Sequence, residues 1–142
     1  MPRLTLKRSR KIIKTALAKA DELELKPLAV VVLDDGGHVV AVERSDGASA
    51  GRFDVARAKA YGCIMLGIGG YAMRERAEQQ SYFLTAVNGA LDGKLVPVPG
   101  GVLIRDKTGL LIGAVGISGD TGENDATCAV AGIENAGLVA EA

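Results

Sequence analysis

The chain contains no tryptophan, and aromatic residues make up only 4% of its 142 positions. Its core must therefore rest on Val, Ile, Leu and Ala. There is a single histidine, His38, which excludes a typical multi-histidine zinc site and leaves no Ser-His-Asp or Cys-His group arguable from spacing; no metal is expected. The two cysteines, Cys63 and Cys128, stand alone without a C-x-x-C partner. That pattern fits reduced, buried thiols rather than a disulfide framework. No apolar run reaches the roughly 18 residues of a membrane span. The Arg/Lys-rich start is not followed by a leader-type apolar stretch, so a cytoplasmic protein with no membrane partner is expected.

Net charge is zero, but its two signs are separated. Residues 1–14 hold six basic residues (Arg3, Lys7, Arg8, Arg10, Lys11 and Lys14) and no acid, whereas five acids and no base follow Lys107. The basic cluster lacks interleaved aromatics and pI is near neutral, a weak footprint for nucleic acid. It reads as a solvated helix face, with no nucleic-acid partner. At 48% hydrophobic and 24% charged residues, the composition is that of one globular domain spanning residues 1–142. Glycine is abundant, with 19 residues, which points to tight turns, close backbone approach or a backbone-lined pocket.

What is present is a doubled hairpin. Leu28 to Leu33 is an apolar run, Asp34-Asp35-Gly36-Gly37 a turn, His38–Arg44 a second run, and Gly47 lies in the exit loop. Val102 onward repeats this with Asp106, Gly109 and Gly119 at an offset of 72. Tight turns force antiparallel pairing within each hairpin, and long apolar strands imply a sheet covered on both faces.

Around the hairpins, helical spacing predicts helices over 5–24, with Thr5 as N-cap and Leu6, Ile13, Leu17, Ala20 and Leu23 as the apolar stripe. Further helices are expected over 52–66, 72–91 and 123–140. Residues 92–101 read as a loop or a short edge strand limited by Pro97 and Pro99. The order is α-ββ-αα-(β)-ββ-α. The fold class is α+β, a single antiparallel sheet flanked by helices, α/β/α and profilin- or PAS-like.

Unusual residues gather in the loops after the second strands. Ser118-Gly119-Asp120-Thr121-Gly122-Glu123-Asn124-Asp125 opens the last helix. It lacks the Gly-Lys-Ser/Thr of a phosphate loop, and its acids oppose phosphate. It reads either as a helix start capped by its own side chains or as a pocket wall in which Asp125 accepts a hydrogen bond or binds a cation. Arg44 and Asp46 either pair with each other or present a guanidinium to a ligand carboxylate. Lys59 is either snorkelled or paired, or a second anion ligand. His38 is a strand residue or an axial haem ligand. Cys63, Cys128, Met65, Met73, Tyr61, Tyr71 and Tyr82, the other conceivable iron ligands, read more simply as core.

The ordered set Val31 to His38, Arg44 to Ala48, Ala56 to Ala60, Gly100-Gly101-Val102 and Ile112 to Gly119, with Asp125, resembles the GlcG/HbpS family. This is the haem-degrading domain, also found at the C-terminus of PduO-type proteins. Ser45 and Leu103 depart from the family's usual Met and Pro, and residues 67–98 follow its pattern loosely. The resemblance implies an α/β/α fold, homo-oligomers from dimer to octamer, and haem or tetrapyrrole binding in some members.

The first reading is thus an oligomeric small-ligand-binding protein with haem or a related cofactor in a pocket of loops 44–48, 100–102 and 118–125. Its ligand-binding candidates are Arg44, Asp46, Gly47, Lys59, Gly100, Gly101, Ser118, Gly119 and Asp125. The alternative is an enzyme of small-molecule catabolism, with Arg44 orienting an anionic carboxylate or carbonyl substrate and Asp46 or Asp125 as general base. A third is an accessory subunit whose glycines serve packing.

Overall fold

A computed structural model describes residues 3–142. Helix α1 (Leu6–Glu22) is capped by Thr5, whose Oγ1 accepts the Arg8 amide. The hairpin β1 (Ala29–Asp34) and β2 (Val39–Arg44) follows, then α2 (Arg52–Leu66), α3 (Gly70–Gln79) and α4 (Ser81–Ala90). The second hairpin is β3 (Gly101–Arg105) and β4 (Leu111–Ser118), followed by α5 (Gly122–Asn135) and β5 (Val139–Glu141).

The strands form one sheet in the order β2-β1-β4-β3-β5, antiparallel throughout. The hairpins lie side by side along the β1–β4 seam, in register from Ala29 opposite Ser118 to Asp34 opposite Gly113. Each hairpin turn is tied by its leading aspartate. Asp34 Oδ1 accepts the Gly36 and His38 amides, and Asp106 Oδ1 those of Thr108 and Leu110. The repeat seen in sequence is therefore a repeat of turn chemistry.

Both sheet faces are covered, as the continuous apolar strands require. Val30, Val32, Val115 and Ile117 pack with α1 and α5, whereas Ala29, Val31, Leu33 and Ala114 pack with α2 to α4. The buried stripe of α1 is Ser9, Ile12, Ile13, Ala16 and Ala20. Leu6 and Leu23, expected at the ends of that stripe, are exposed. Lys7, Arg8, Arg10, Lys11 and Lys14 lie on the exposed side of the helix, and Arg3, ahead of it, is exposed as well.

Helix α2 lies directly on sheet backbone. Gly101 and Gly116 are register partners. A Cβ on Gly116 would overlap the Ala56 carbonyl oxygen, and one on Gly101 would meet the Lys59 carbonyl oxygen and Cys63 Sγ. This close seat fixes where α2 presents its polar residues.

Two helix boundaries differ from the sequence expectation, and of the two readings of residues 92–101 the loop is the one found, up to Gly101. The 72–91 helix is two helices, broken at Gln80 (φ −137°, ψ 57°). The last helix stops at Asn135, because Gly137 (φ 77°) donates to Glu134 and Leu138 donates back to Ile133, a helix-ending motif. Residues 92–100 form no strand; the edge beside β3 is taken by β5 instead. Among the described residues, no helix is long and apolar enough to cross a membrane.

Candidate functional site

The sheet end that carries Arg44, Ser118 and Gly101 is one end of the molecule, since Ala29 lies opposite both Arg44 and Ser118. There α2 begins, α5 begins, and residues 98–100 turn into β3. Arg52 and Lys59 are seven residues apart on α2, two turns along one face, with Val55 between them. Together with Val98 and Pro99, Arg74 of α3, and Ser118, Asp120, Gly122 and Glu123, they line an open cleft of about 320 Å³. That is the lower end of small-ligand pockets.

The floor of the cleft is a buried ion pair. Lys59 and Asp125 are 4% and 0% exposed. Lys59 Nζ donates to Asp125 Oδ2 at 3.1 Å and to the Ile117 carbonyl at 2.9 Å. Asp125 Oδ1 accepts the Asp120 amide at 3.1 Å. Burial raises the Asp125 carboxyl above the usual carboxylate range, and the Lys59 charge opposes that rise. Gly100 (φ 116°) leaves room for the pair, because a Cβ there would meet Lys59 Nζ at 2.7 Å. Lys59 is thus paired, and Asp125 is buried with each carboxylate oxygen accepting one hydrogen bond.

The α5 start is capped by its own residues. Thr121 Oγ1 accepts the Asn124 amide. Asp120 accepts from Asn124 Nδ2, the Thr121 amide and the Lys26 amide. These donors, the Asn124 amide foremost, hold the Asp120 carboxyl down at about 2. Its bond to Lys26 ties the approach to β1 onto this helix.

Two charged cleft residues are not marked by the sequence pattern. Arg52 donates to the Ser118 hydroxyl at 3.2 Å; its signal was its alignment with Lys59 on the same helical face. Arg74 pairs with Glu123 at 2.6 Å across the mouth, with both side chains partly exposed; nothing set it apart from neighbouring charges in sequence.

Other expected residues lie elsewhere. Arg44 and Asp46 are exposed and form no ion pair among the described residues. The Arg44 guanidinium instead donates to the Ala48 carbonyl four residues on. Asp46 lines a separate groove of about 160 Å³ with Lys26, Pro27 and α1 residues, on the opposite sheet face, and Gly47 packs toward Pro27. Gly101 lies beneath α2, and Gly119 passes against the Pro27 carbonyl. The 44–48 loop is therefore not a wall of this cleft; it leaves the edge strand β2 with Asp46 turned toward the α1 groove.

His38 follows the Asp34 turn at the other end of the sheet, five β1 residues from the cleft end, or roughly 17 Å. Its ring is 81% exposed and 3.3 Å from Asp34 Oδ1. It cannot reach the cleft of its own subunit. Cys63 and Cys128 are free and buried, with thiols raised by burial to about 12 and about 11. Among the described residues, no group of three His, Cys, Asp or Glu side chains is placed to hold a metal ion.

Comparison with known proteins agrees with this architecture. The model of the family described as haem degrading protein HbpS-like matches residues 4–134. A 15.0 kDa protein from the dhaT-dhaS intergenic region of Citrobacter freundii is 31% identical over 124 residues, covering 86% of this chain and 84% of that one. The PduOC:heme complex aligns with a TM-score of 0.79 at 25% identity, over 89% of this chain and 90% of that chain. The ORFY protein of Klebsiella pneumoniae shares the fold at a TM-score of 0.84 and 24% identity, over 96% and 92% of the two chains. The matched span takes in both hairpins, the α2 seat and the head of α5, and on that basis the chain belongs to the HbpS-like haem-degrading protein family.

Proposed function

We propose that the chain is an oligomeric small-ligand-binding protein, and that its ligand is haem or a related tetrapyrrole held in the cleft between α2, α3 and the head of α5. One observation carries the reading. Arg52 is a half-buried guanidinium whose only side-chain partner among the described residues is a hydroxyl, set beside apolar Val55, Val98 and Pro99. A guanidinium fork suits a carboxylate, and the apolar wall suits a ring. The family match and the PduOC:heme relative support a tetrapyrrole over other carboxylates.

The fit is divided. Arg52 suits a propionate, but among the described residues no His, Cys, Met or Tyr lines the cleft, and these are the usual protein ligands of haem iron. Assembly is supported by the edge strand β2, which exposes Val39 and Val42 beside an unpaired backbone edge. A cytoplasmic location is supported by two buried free thiols, which suit a reducing compartment.

The test is an absorbance titration with hemin beside a light-scattering measurement of size. A saturating Soret change is expected for the native chain, with affinity about tenfold or more lower in Arg52→Gln, as for the loss of one charged hydrogen bond. A titration indifferent to Arg52 would place haem elsewhere and end this reading of the cleft.

A further inference from the structure

We infer that the cleft recognises a carboxylate rather than a metal, and that Glu123 is a built-in competitor for that carboxylate. This rests on the ligand reading above and specifies which part of the ligand is read.

The charges around the cleft are unequally satisfied. Asp120 spends its oxygens on Lys26, Thr121 and Asn124. Lys59 is neutralised by Asp125 beneath it, yet its ammonium has three protons and two acceptors. Arg74 is neutralised by Glu123. Only Arg52 lacks a carboxylate partner among the described residues, and Ser118 leaves most of its donor fork unused. An incoming carboxylate at Arg52 completes the set.

The Arg74–Glu123 pair differs in kind from the pair on the floor. Its side chains are 41% and 56% exposed, so it contributes little to stability and separates easily. A ligand with a second carboxylate can take Arg74 from Glu123. Until then Glu123 holds that cation. The ligand class is therefore an apolar body bearing two carboxylates, with no requirement for iron.

The experiment measures binding of hemin, iron-free protoporphyrin IX and protoporphyrin IX dimethyl ester to the native chain, Arg52→Gln and Glu123→Gln, with porphyrin fluorescence and absorbance as readouts. Hemin and the iron-free diacid are expected to bind within about threefold of each other, and the ester about tenfold or more weaker. Arg52→Gln should bring the diacid close to the ester. Glu123→Gln should tighten the diacid by about threefold, the size of a surface pair, and leave the ester unchanged. That opposite response separates competition from general damage to the fold. Equal binding of ester and diacid, or hemin binding without the iron-free diacid, overturns the inference while the ligand reading stands. Failure of both hemin and the diacid on the native chain ends the ligand reading and this inference together.

Discussion

Lys59→Met is expected to cost about 3–5 kcal/mol near neutral pH, the penalty for stranding a buried charge. In melting temperature this is on the order of 10–15 °C for a domain of this size. Asp125 would keep its bond from the Asp120 amide but lose the ammonium at 3.1 Å. The sign with pH follows from its environment. Burial already raises the Asp125 carboxyl, and Lys59 works against that rise; without Lys59 the rise is unopposed. A carboxyl with a folded pKa above its unfolded value contributes stability that is present below the unfolded value, about 3.9, and is lost as pH climbs through the folded one. The deficit of the variant is therefore largest near neutrality and shrinks toward pH ~4. Lys59→Met combined with Asp125→Asn should recover a large part of it, since the amide oxygen still accepts from Asp120 and no charge is stranded. Denaturant melts at several pH values check this; a loss under about 1 kcal/mol, flat with pH, would mean that the pair is solvated after all.

The second large effect is expected at Gly116. In Gly116→Ala the new methyl would overlap the Ala56 carbonyl oxygen and come within 3.0 Å of Ala60 Cβ. Backbone cannot swing aside as a side chain can, so α2 must lift from the sheet. We expect a loss of about 3 kcal/mol or more. The lift would also displace Arg52 and Lys59, so ligand binding should weaken along with stability. Gly89 in α4 is the matched control, because a Cβ there meets nothing within 4 Å. Gly89→Ala is expected to be neutral or to stabilise by up to ~1 kcal/mol, through helix propensity alone. Chemical denaturation of the two variants tests the contrast; equal behaviour would show that α2 does not rest on Gly116.

These effects also indicate which parts of the molecule were legible in sequence. The hairpins were, because an aspartate followed by glycine two or three residues on carries its own turn chemistry. Asp34 and Asp106 act as their repeat predicts. The α2 boundaries matched, since Gly51 and Gly67 punctuate a periodic run. The break at Gln80 was hidden, because no Pro or Gly marks it. The end of α5 was signalled by Gly137 followed by apolar Leu138, but an Ala-rich run obscured it.

The site was legible only in part. Local pattern marks Ser118, Lys59 and Asp125, and the fold brings them together, Lys59 and Asp125 as a buried ion pair at the floor of the cleft and Ser118 as the hydroxyl that accepts from Arg52. Arg44 and Asp46 lie outside this cleft, since sequence shows that a loop leaves a strand, not toward which sheet face it turns. Arg74 reaches the cleft only through the tertiary meeting of α3 with α5, which no local spacing records.

The most direct test of where the ligand sits is to follow backbone amide resonances during titration with iron-free protoporphyrin IX. Shifts are expected at Arg52, Gly122 and Glu123, with Gly36, Gly37 and His38 unmoved. Shifts confined to the Asp34–His38 turn, or to the groove beside Asp21 and Asp46, would contradict this placement.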